Sequence, residues 1–269
     1  MASKLRTPLI LSGVIAGLAA ASSAGPFYLD LYRHDTPLML GTLEGSDLIT
    51  LFLATPLLIW GMILTMRGSA AGILLWIGML ECMLYTFAYY LLGAEMNEFF
   101  LVYAALAALS LLAIISAMSN AWLTAIGSTF KKKTPARRIS LFMFAVAAAL
   151  AGLWSYDWYQ ITLQGADLGM PAETFRLTAG VGMAVFVPLM LVIAGMLWRR
   201  TPAGYALATS IMVMATVYPL TLIASSLFQA RAGVERAWAT VPLWAAIAAG
   251  SLLCCAALFR NMQKPRFSE

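Results

Sequence analysis

Long apolar stretches separated by short polar turns run through the whole sequence. Each stretch is about 20 residues long, which is enough for a helix to cross a bilayer, and a window of that length finds about eight of them. They cover residues 8–27, 46–66, 71–92, 98–120, 139–160, 176–198, 204–228 and 238–259. The pattern therefore predicts an all-α membrane protein with about eight transmembrane helices.

Lysine and arginine are divided unevenly between the two sets of turns. With the N-terminus in the cytoplasm, only Arg33, Arg176, Arg231 and Arg236 of the 17 basic residues lie outside. Cytoplasmic loops carry such an excess of Lys and Arg, whereas the opposite orientation would reverse it. The sequence therefore predicts a cytoplasmic N-terminus, and an even number of helices returns the C-terminus to the same side.

Composition agrees with this interpretation. Charged residues make up 11% of the chain, against about 25% in soluble domains, so the net charge of +5 reflects topology rather than nucleic-acid binding. The basic loop 131–138 could hold anionic lipid head groups. Alternatively, it serves only as a cytoplasmic anchor.

An offset of 132 residues partly overlays the second half of the chain on the first. The matches are Pro56 with Pro188, Arg67 with Arg199 and Gly72 with Gly204. An offset of 127 pairs Asp30-Leu31-Tyr32 with Asp157-Trp158-Tyr159. These matches predict a four-helix repeat over 1–130, the basic loop 131–138, and a second repeat with a short tail over 139–269. Copies of four helices share one orientation and are related by an axis along the membrane normal; coincidence between apolar helices is the alternative.

Pro56 and Pro188 lie inside their predicted helices. Proline removes a backbone donor and kinks or opens a helix, and in a membrane a neighbour or water must satisfy the freed carbonyl. The pair is interpreted either as two hinges or as two packing kinks.

Acidic residues gather on the predicted outer side. They are Asp30, Asp35, Glu44, Asp47, Glu95, Glu98, Asp157, Asp167, Glu173 and Glu235. An acidic face raises the local concentration of cations, although ordinary solubilising surface explains it equally well. Tyrosine and tryptophan lie among these acids, which is typical of an interfacial belt or of a pocket that binds an organic cation through cation–π contacts.

Glu81 falls near the middle of the third predicted helix. An ionisable group at that depth normally faces the protein interior or a water-filled cavity. Tyr85 and Tyr89 follow at intervals of four residues and share its helix face. We interpret Glu81, Tyr85 and Tyr89, with Asp30 and Asp157 nearer the surface, as candidates for solute binding or proton exchange. The alternative is a protonated structural Glu81.

Metal, redox and enzymatic chemistry have little support. His34 is the only histidine, and Cys82, Cys254 and Cys255 all lie inside predicted helices, where small buried side chains are the usual reading. Phosphate loops, nucleophile elbows and zinc motifs do not occur in the sequence. We expect neither a cofactor nor a metal, and the sequence favours a protein that is not an enzyme.

Two segments carry a family resemblance. The turn Arg67-Gly68-Ser69 before a Leu/Trp-rich helix with tyrosines, and the turn Arg199-Arg200-Thr201, resemble those of a family of uncharacterised bacterial multi-pass membrane proteins. The resemblance implies a location in the bacterial cytoplasmic (inner) membrane, and it implies no activity.

Three functions stay open at this point. The first is a transporter or solute-binding permease for a small cationic or polar solute, linked to protons through Glu81. The second is an accessory or scaffold subunit of a larger membrane complex. The third is an intramembrane enzyme that modifies lipid.

Overall fold

Residues 2–118, 120–166 and 172–263 are described by a computed structural model. Within these ranges the chain is all-helical, and eight of its helices are long and apolar enough to span a membrane. The predicted outer acid Asp167 and the tail residues 264–269 lie outside the described ranges.

The eight long helices are numbered here in chain order. They are α1 (Ala2–Ala24), α2 (Pro37–Met66), α3 (Ala70–Gly93), α4 (Phe100–Ala117), α5 (Ala136–Leu163), α6 (Ala172–Trp198), α7 (Pro202–Arg231) and α8 (Val241–Arg260). A short helix between α4 and α5, Asn120–Gly127, is called the connecting helix. The predicted number of long apolar helices agrees with the structure, and the largest error concerns where α2 begins.

Helix α2 begins at Pro37, well before the predicted residue 46. Thr36 caps it by accepting a hydrogen bond from the backbone N–H of Met39. Its first turns look polar because they carry small and hydroxyl residues, but these pack against α7. Ser225 donates to the carbonyl oxygen of Thr42 at 2.9 Å, and a side chain at Gly45 would overlap the Ser225 backbone. The polar sequence therefore marks a helix–helix contact rather than a loop.

Helix α5 also begins earlier than predicted, at Ala136. Arg137 and Arg138 therefore belong to its first turn, and only residues 131–135 of the predicted basic loop are non-helical. The Arg137 guanidinium lies over the Trp198 ring at the end of α6, 5.7 Å from its centroid.

Helices within each set of four contact one another. In the first half α1 contacts α2 and α4, and α3 contacts the same two helices; in the second half α5 contacts α6, α6 contacts α7 and α7 contacts α8. Helix α7 also packs on α2 and α3 and joins the halves. We call the end with Arg67, Arg199 and residues 131–138 the basic end, and the other end the acidic end.

A π-helical turn precedes the internal proline in both halves. The turns are Thr50–Ala54 in α2 and Gly182–Phe186 in α6. In each, the residue before the proline donates its N–H five residues back, Thr55 to Thr50 and Val187 to Gly182. Wider turns of this kind occur inside helices mostly as single bulges. The helix backbone therefore widens directly before Pro56 and before Pro188.

The turns that follow are also alike. Gly68 has φ +77° and Arg200 has φ +57°, both in the left-handed region. Ser69 then caps α3 by accepting from Gly72, and Thr201 caps α7 by accepting from Gly204. Side chains at either glycine would collide with the preceding helix, at Leu64 and at Met196 respectively.

The end of α8 is tied to the segment that joins the two halves. The Lys131 N–H donates to the carbonyl of Asn261 at 2.9 Å, and the Gln263 N–H donates to the carbonyl of Thr129 at 3.0 Å. Phe130 and Met262 form an isolated antiparallel bridge between these bonds. The bridge holds the last described residues beside the segment that links α4 to α5.

Candidate functional site

Glu81 lies on α3 where that helix meets α7. Ser210 of α7 donates a hydrogen bond to its Oε1 at 2.9 Å. The second oxygen, Oε2, is buried and has no hydrogen-bond partner within the part of the chain that the structure describes. A buried polar atom without a partner is unfavourable by about 1–3 kcal/mol. The carboxyl group is therefore held at one oxygen and left unsatisfied at the other.

Close contacts around Glu81 are reciprocal between α3 and α7. A side chain at Gly78 would meet the carbonyl oxygen of Ser210 and the side chain of Val213, while Ser210 itself contacts Glu81. Under the 132-residue offset Gly78 corresponds to Ser210 and Glu81 to Val213. The contact of Gly78 with Val213 thus corresponds to the contact of Ser210 with Glu81 when the offset exchanges the two halves.

Aromatic residues line a cavity one helical turn from Glu81 toward the acidic end. Tyr85 packs edge-on against Tyr218 of α7, with ring centroids 4.7 Å apart, and against Phe186 of α6 at 6.2 Å. Trp154 of α5 and Trp244 of α8 complete the wall around a volume of about 100 Å³. We call this space the aromatic cavity. It lies between the halves, because α3 is the only first-half helix that lines it within the described residues.

Helix irregularities shape this cavity. Phe186 is the last residue of the second π-helical turn, and a side chain at Gly182 in the same turn would overlap the Trp154 ring. Pro219, inside α7, lines the cavity as well. Of the two predicted hinge prolines, Pro188 therefore follows a turn in the cavity wall, whereas the turn before Pro56 lies in the first half. Sequence reasoning missed Pro219, although an intrahelical proline was available as a signal.

A second pocket opens at the acidic end. It has a volume of about 270 Å³, and its walls include Asp35, Glu95 and Glu173. Asp35 Oδ1 accepts the backbone N–H of Glu95 at 2.9 Å, and burial raises the pKa of the Asp35 carboxyl. We call this pocket the acidic vestibule. Its three carboxyl groups would attract cations.

A thin wall separates the acidic vestibule from the aromatic cavity. Leu177 lines the vestibule and Thr178 lines the cavity. A side chain at Gly93, in the vestibule wall, would meet Leu177 and approach the Tyr89 ring of the cavity. Gly93, Tyr89, Tyr85 and Glu81 follow one another at intervals of four along α3, so one helix face passes from the vestibule through the cavity to Glu81.

The two surface acids that the sequence proposed for this site lie apart from it. Asp30 is exposed in the loop after α1, where its carbonyl oxygen accepts from Arg33. Asp157 is partly buried on α5. Neither belongs to the described linings of the cavity or the vestibule. Nearby, Arg33 pairs with Glu98 at 2.7 Å, and its hydrogen bond lowers the pKa of the exposed Glu98 carboxyl.

Asp47 differs from the surface acid that the sequence suggested. Its side chain is 4% exposed, inside the first half. The hydroxyls of Tyr32 and Tyr90 donate to its two oxygens at 2.6 Å and 2.9 Å. Sequence reasoning placed these tyrosines in an interfacial belt and Asp47 at a helix mouth. The spacing of Asp47 and Tyr90 in the sequence gave no signal that they meet.

Candidate metal ligands do not come together in the described part of the chain. Within the described ranges, three or more His, Cys, Asp or Glu residues nowhere come together in a geometry that could hold a metal ion.

Comparison of the chain with protein-family models, with curated proteins and with solved structures gives no match in any of the three.

Proposed function

We propose that this protein is a multi-pass membrane transporter that binds a small organic cation in the aromatic cavity. The proposal rests on one observation. The acidic vestibule, the aromatic cavity and Glu81 follow one another along one face of α3. Carboxyl groups at the mouth would concentrate cations. Electron-rich rings then bind a cation without requiring a charge in the cavity itself.

The geometry favours an organic cation over a small hydrated ion. The cavity wall is aromatic and aliphatic, with polar groups supplied by tyrosine hydroxyls and Thr178. A hydrated inorganic ion would lose its water there without adequate replacement. A quaternary ammonium group has an apolar surface and a diffuse charge, and both suit this lining.

Choline and its uncharged analogue 3,3-dimethylbutan-1-ol form a matched pair of ligands for the test. With purified protein in nanodiscs, titration calorimetry should show choline binding about 3- to 30-fold more tightly, the range expected from cation–π contacts of about 0.5–2 kcal/mol. Tyr218→Leu should remove that preference, and Tyr218→Phe should retain it because the ring remains. Equal binding of the two ligands would mean a pocket for neutral lipophiles.

Transport is tested separately with radiolabelled choline in proteoliposomes. We propose that Glu81 couples transport to protons, since its carboxyl lies one turn beyond the cavity and is only half satisfied. Glu81→Gln should then bind choline but lose any effect of a pH gradient on uptake. Binding without uptake would instead support a solute sensor or an accessory subunit.

We also infer that the chain is a tandem repeat, α1–α4 and α5–α8. Three features support this inference: the two π-helical turns before Pro56 and Pro188, the matching turns at Gly68 and Arg200, and the reciprocal contacts around Gly78. The halves should superpose by rotation about an axis along the membrane normal in an experimental structure. Different packing orders in the two halves would contradict the inference.

Orientation is the last element of the proposal. We place the basic end in the cytoplasm of a bacterium and the acidic end outside the inner membrane, with anionic lipids against Lys132 and Lys133. Single cysteines in residues 131–135, in a chain whose own cysteines are replaced by alanine, should react only after the membrane is permeabilised. Labelling of intact cells at this loop would reverse the orientation.

A further inference from the structure

All four helices of the first half meet at a group of buried oxygen atoms near the acidic end. Asp47 comes from α2, Tyr90 from α3, Tyr103 from α4 and Ser23 from α1, and Tyr32 follows α1 in the chain. Each of these side chains is at most 4% exposed. We call this group the oxygen cluster. It is separate from the aromatic cavity, whose described lining includes none of its members.

Asp47 carries the only carboxyl group of the oxygen cluster. Its partners are the two phenol donors, Tyr32 and Tyr90. Within the described ranges the one ion pair is Arg33 with Glu98, so no arginine, lysine or histidine there neutralises Asp47. A buried charge normally has a partner of opposite sign, because burying it alone is strongly unfavourable.

Two further hydroxyl oxygens of the cluster, within the described residues, are buried without a well-formed hydrogen bond. The Ser23 hydroxyl lies close enough to Asp47 to interact with its carboxyl group, and the Tyr103 hydroxyl lies close to Tyr32 and Asn97 and near Asp47. Both hydroxyl oxygens are buried, and neither makes a well-formed hydrogen bond within the described residues. The backbone carbonyl of Leu43 is also close, since the Tyr90 hydroxyl lies 2.9 Å from it. Hydroxyl oxygens keep free lone pairs even when their protons point to a neighbour, so these buried oxygens around one carboxyl group could serve as ligands of a hard cation.

The ligand chemistry narrows the type of cation. All candidate ligands are oxygens, which excludes soft metals that prefer sulfur or nitrogen. Calcium sites generally combine several carboxylates with carbonyl oxygens and water, whereas this cluster has one carboxylate. One negative charge surrounded by neutral hydroxyl and carbonyl oxygens matches one monovalent ion.

We propose that the oxygen cluster is a sodium site, with the Asp47 carboxylate as the charged ligand and Ser23 and Tyr103 as neutral ones. Bound sodium neutralises the buried charge and connects α1, α2 and α4, while Tyr90 of α3 donates a hydrogen bond to the Asp47 ligand. The site stands independently of the aromatic cavity. A protein that fails to bind choline can still bind sodium here.

Thermal unfolding of the purified full-length protein in NaCl and KCl of equal ionic strength tests the proposal. A ligand that binds only the folded state raises its stability in proportion to the logarithm of concentration. At about ten times the dissociation constant, the midpoint in NaCl should exceed that in KCl by about 2–4 °C. Asp47→Asn should abolish the difference, because the amide keeps the shape of the carboxylate but not its charge.

Ser23→Ala provides a milder variant, in which the charge of Asp47 remains. It should shift the sodium concentration for half-maximal stabilisation upward by about tenfold, as expected for one lost ligand worth about 1.4 kcal/mol. Glu44→Gln is the matched control. Glu44 lies on the same helix one turn away and is only partly buried. Because its charge acts on Asp47 only through space, its removal should preserve the difference between the salts with at most a small decrease.

Equal midpoints of the wild-type protein in NaCl and KCl would overturn the proposal. So would a sodium response that survives in both Asp47→Asn and Ser23→Ala. If acidification stabilises the wild-type protein but not Asp47→Asn, while the two salts remain equivalent, the cluster stores a proton instead of sodium. If Asp47→Asn does not fold, the Ser23→Ala titration decides the question.

Discussion

The two halves of the molecule share backbone features but differ in what they bury. Both contain a π-helical turn, a proline, a left-handed turn residue, a hydroxyl cap and a tightly packed glycine. At the interior positions, however, the first half has Asp47, Glu81 and Tyr90 where the offset gives Ala179, Val213 and Leu222. The comparison teaches that the features which bend and pack the helices are separable from the groups that carry charge. The first half therefore carries buried charged and phenolic groups that the second half lacks at the positions given by the offset.

The largest expected effect tests the shared framework. Gly72→Val and Gly204→Val each force a side chain into the backbone of the preceding helix. Overpacking of this kind is unfavourable by about 1–3 kcal/mol, so both variants should unfold at clearly lower temperature. Gly195→Ala is the control, because nothing lies within 4 Å of its added carbon. Loss of stability in one half alone would break the correspondence.

A smaller effect is expected at the left-handed turn residues. Gly68 has open space around it, so Gly68→Ala tests the backbone conformation alone. The positive φ should make this change unfavourable by about 1–2 kcal/mol, measurable as a lower midpoint in detergent. Arg200 at the equivalent position already bears that conformation, since its guanidinium donates to the carbonyl of Lys132 at 2.8 Å. An unchanged midpoint for Gly68→Ala would show that the turn relaxes.

Glu81→Val places in the first half the residue type found at Val213, the corresponding position of the second half. This variant tests the chemical difference between the halves. Ser210 keeps a partner, because its hydroxyl also lies 3.1 Å from the carbonyl of Leu207. The substitution removes a buried carboxyl group of which one oxygen lacks a hydrogen bond. The free energy of unfolding should therefore stay unchanged or rise by up to about 1 kcal/mol. Proton-linked uptake should disappear in the same variant. A large loss of stability would assign Glu81 a structural role instead.

The smallest effect concerns Asp35 in the acidic vestibule. Burial raises the pKa of this carboxyl, so the folded state binds its proton more tightly than the unfolded state does. Its contribution to stability is therefore complete at low pH, and is lost as pH rises through the folded pKa. Asp35→Asn should raise the unfolding midpoint slightly at pH 7 and have less effect near pH 3. An effect that does not depend on pH would contradict this origin.

The helices could be predicted from sequence because membrane spans depend on composition over about 20 residues. The start of α2 could not, since Gly41, Thr42 and Gly45 resemble a loop until α7 is packed against them. Glu81 stood out because a charge inside an apolar run is visible in one dimension. No signal in the sequence indicated that Ser210 is its hydrogen-bond partner, because Ser210 is one of many serines and lies in a distant helix.

The oxygen cluster shows the same limit more clearly. Asp47, Tyr90 and Tyr103 come from three helices, and nothing in their spacing predicts that their hydroxyl and carboxyl groups meet. The sequence indicates which tyrosines lie near the ends of predicted spans. Whether such a tyrosine contacts lipid head groups or donates a hydrogen bond to a carboxylate depends on whether it is buried. Only the packing of helices provides that information.

The bridge between Phe130 and Met262 has a consequence for biosynthesis. Lys131 obtains its backbone acceptor from Asn261, and Gln263 donates to Thr129. A ribosome therefore completes α5, α6 and α7 before the partners of the 129–131 segment have even been synthesised. Until the last helix is inserted, that segment must hydrogen-bond to water or to the insertion machinery. A chain stopped short of residue 261 would leave the junction between its halves unfinished.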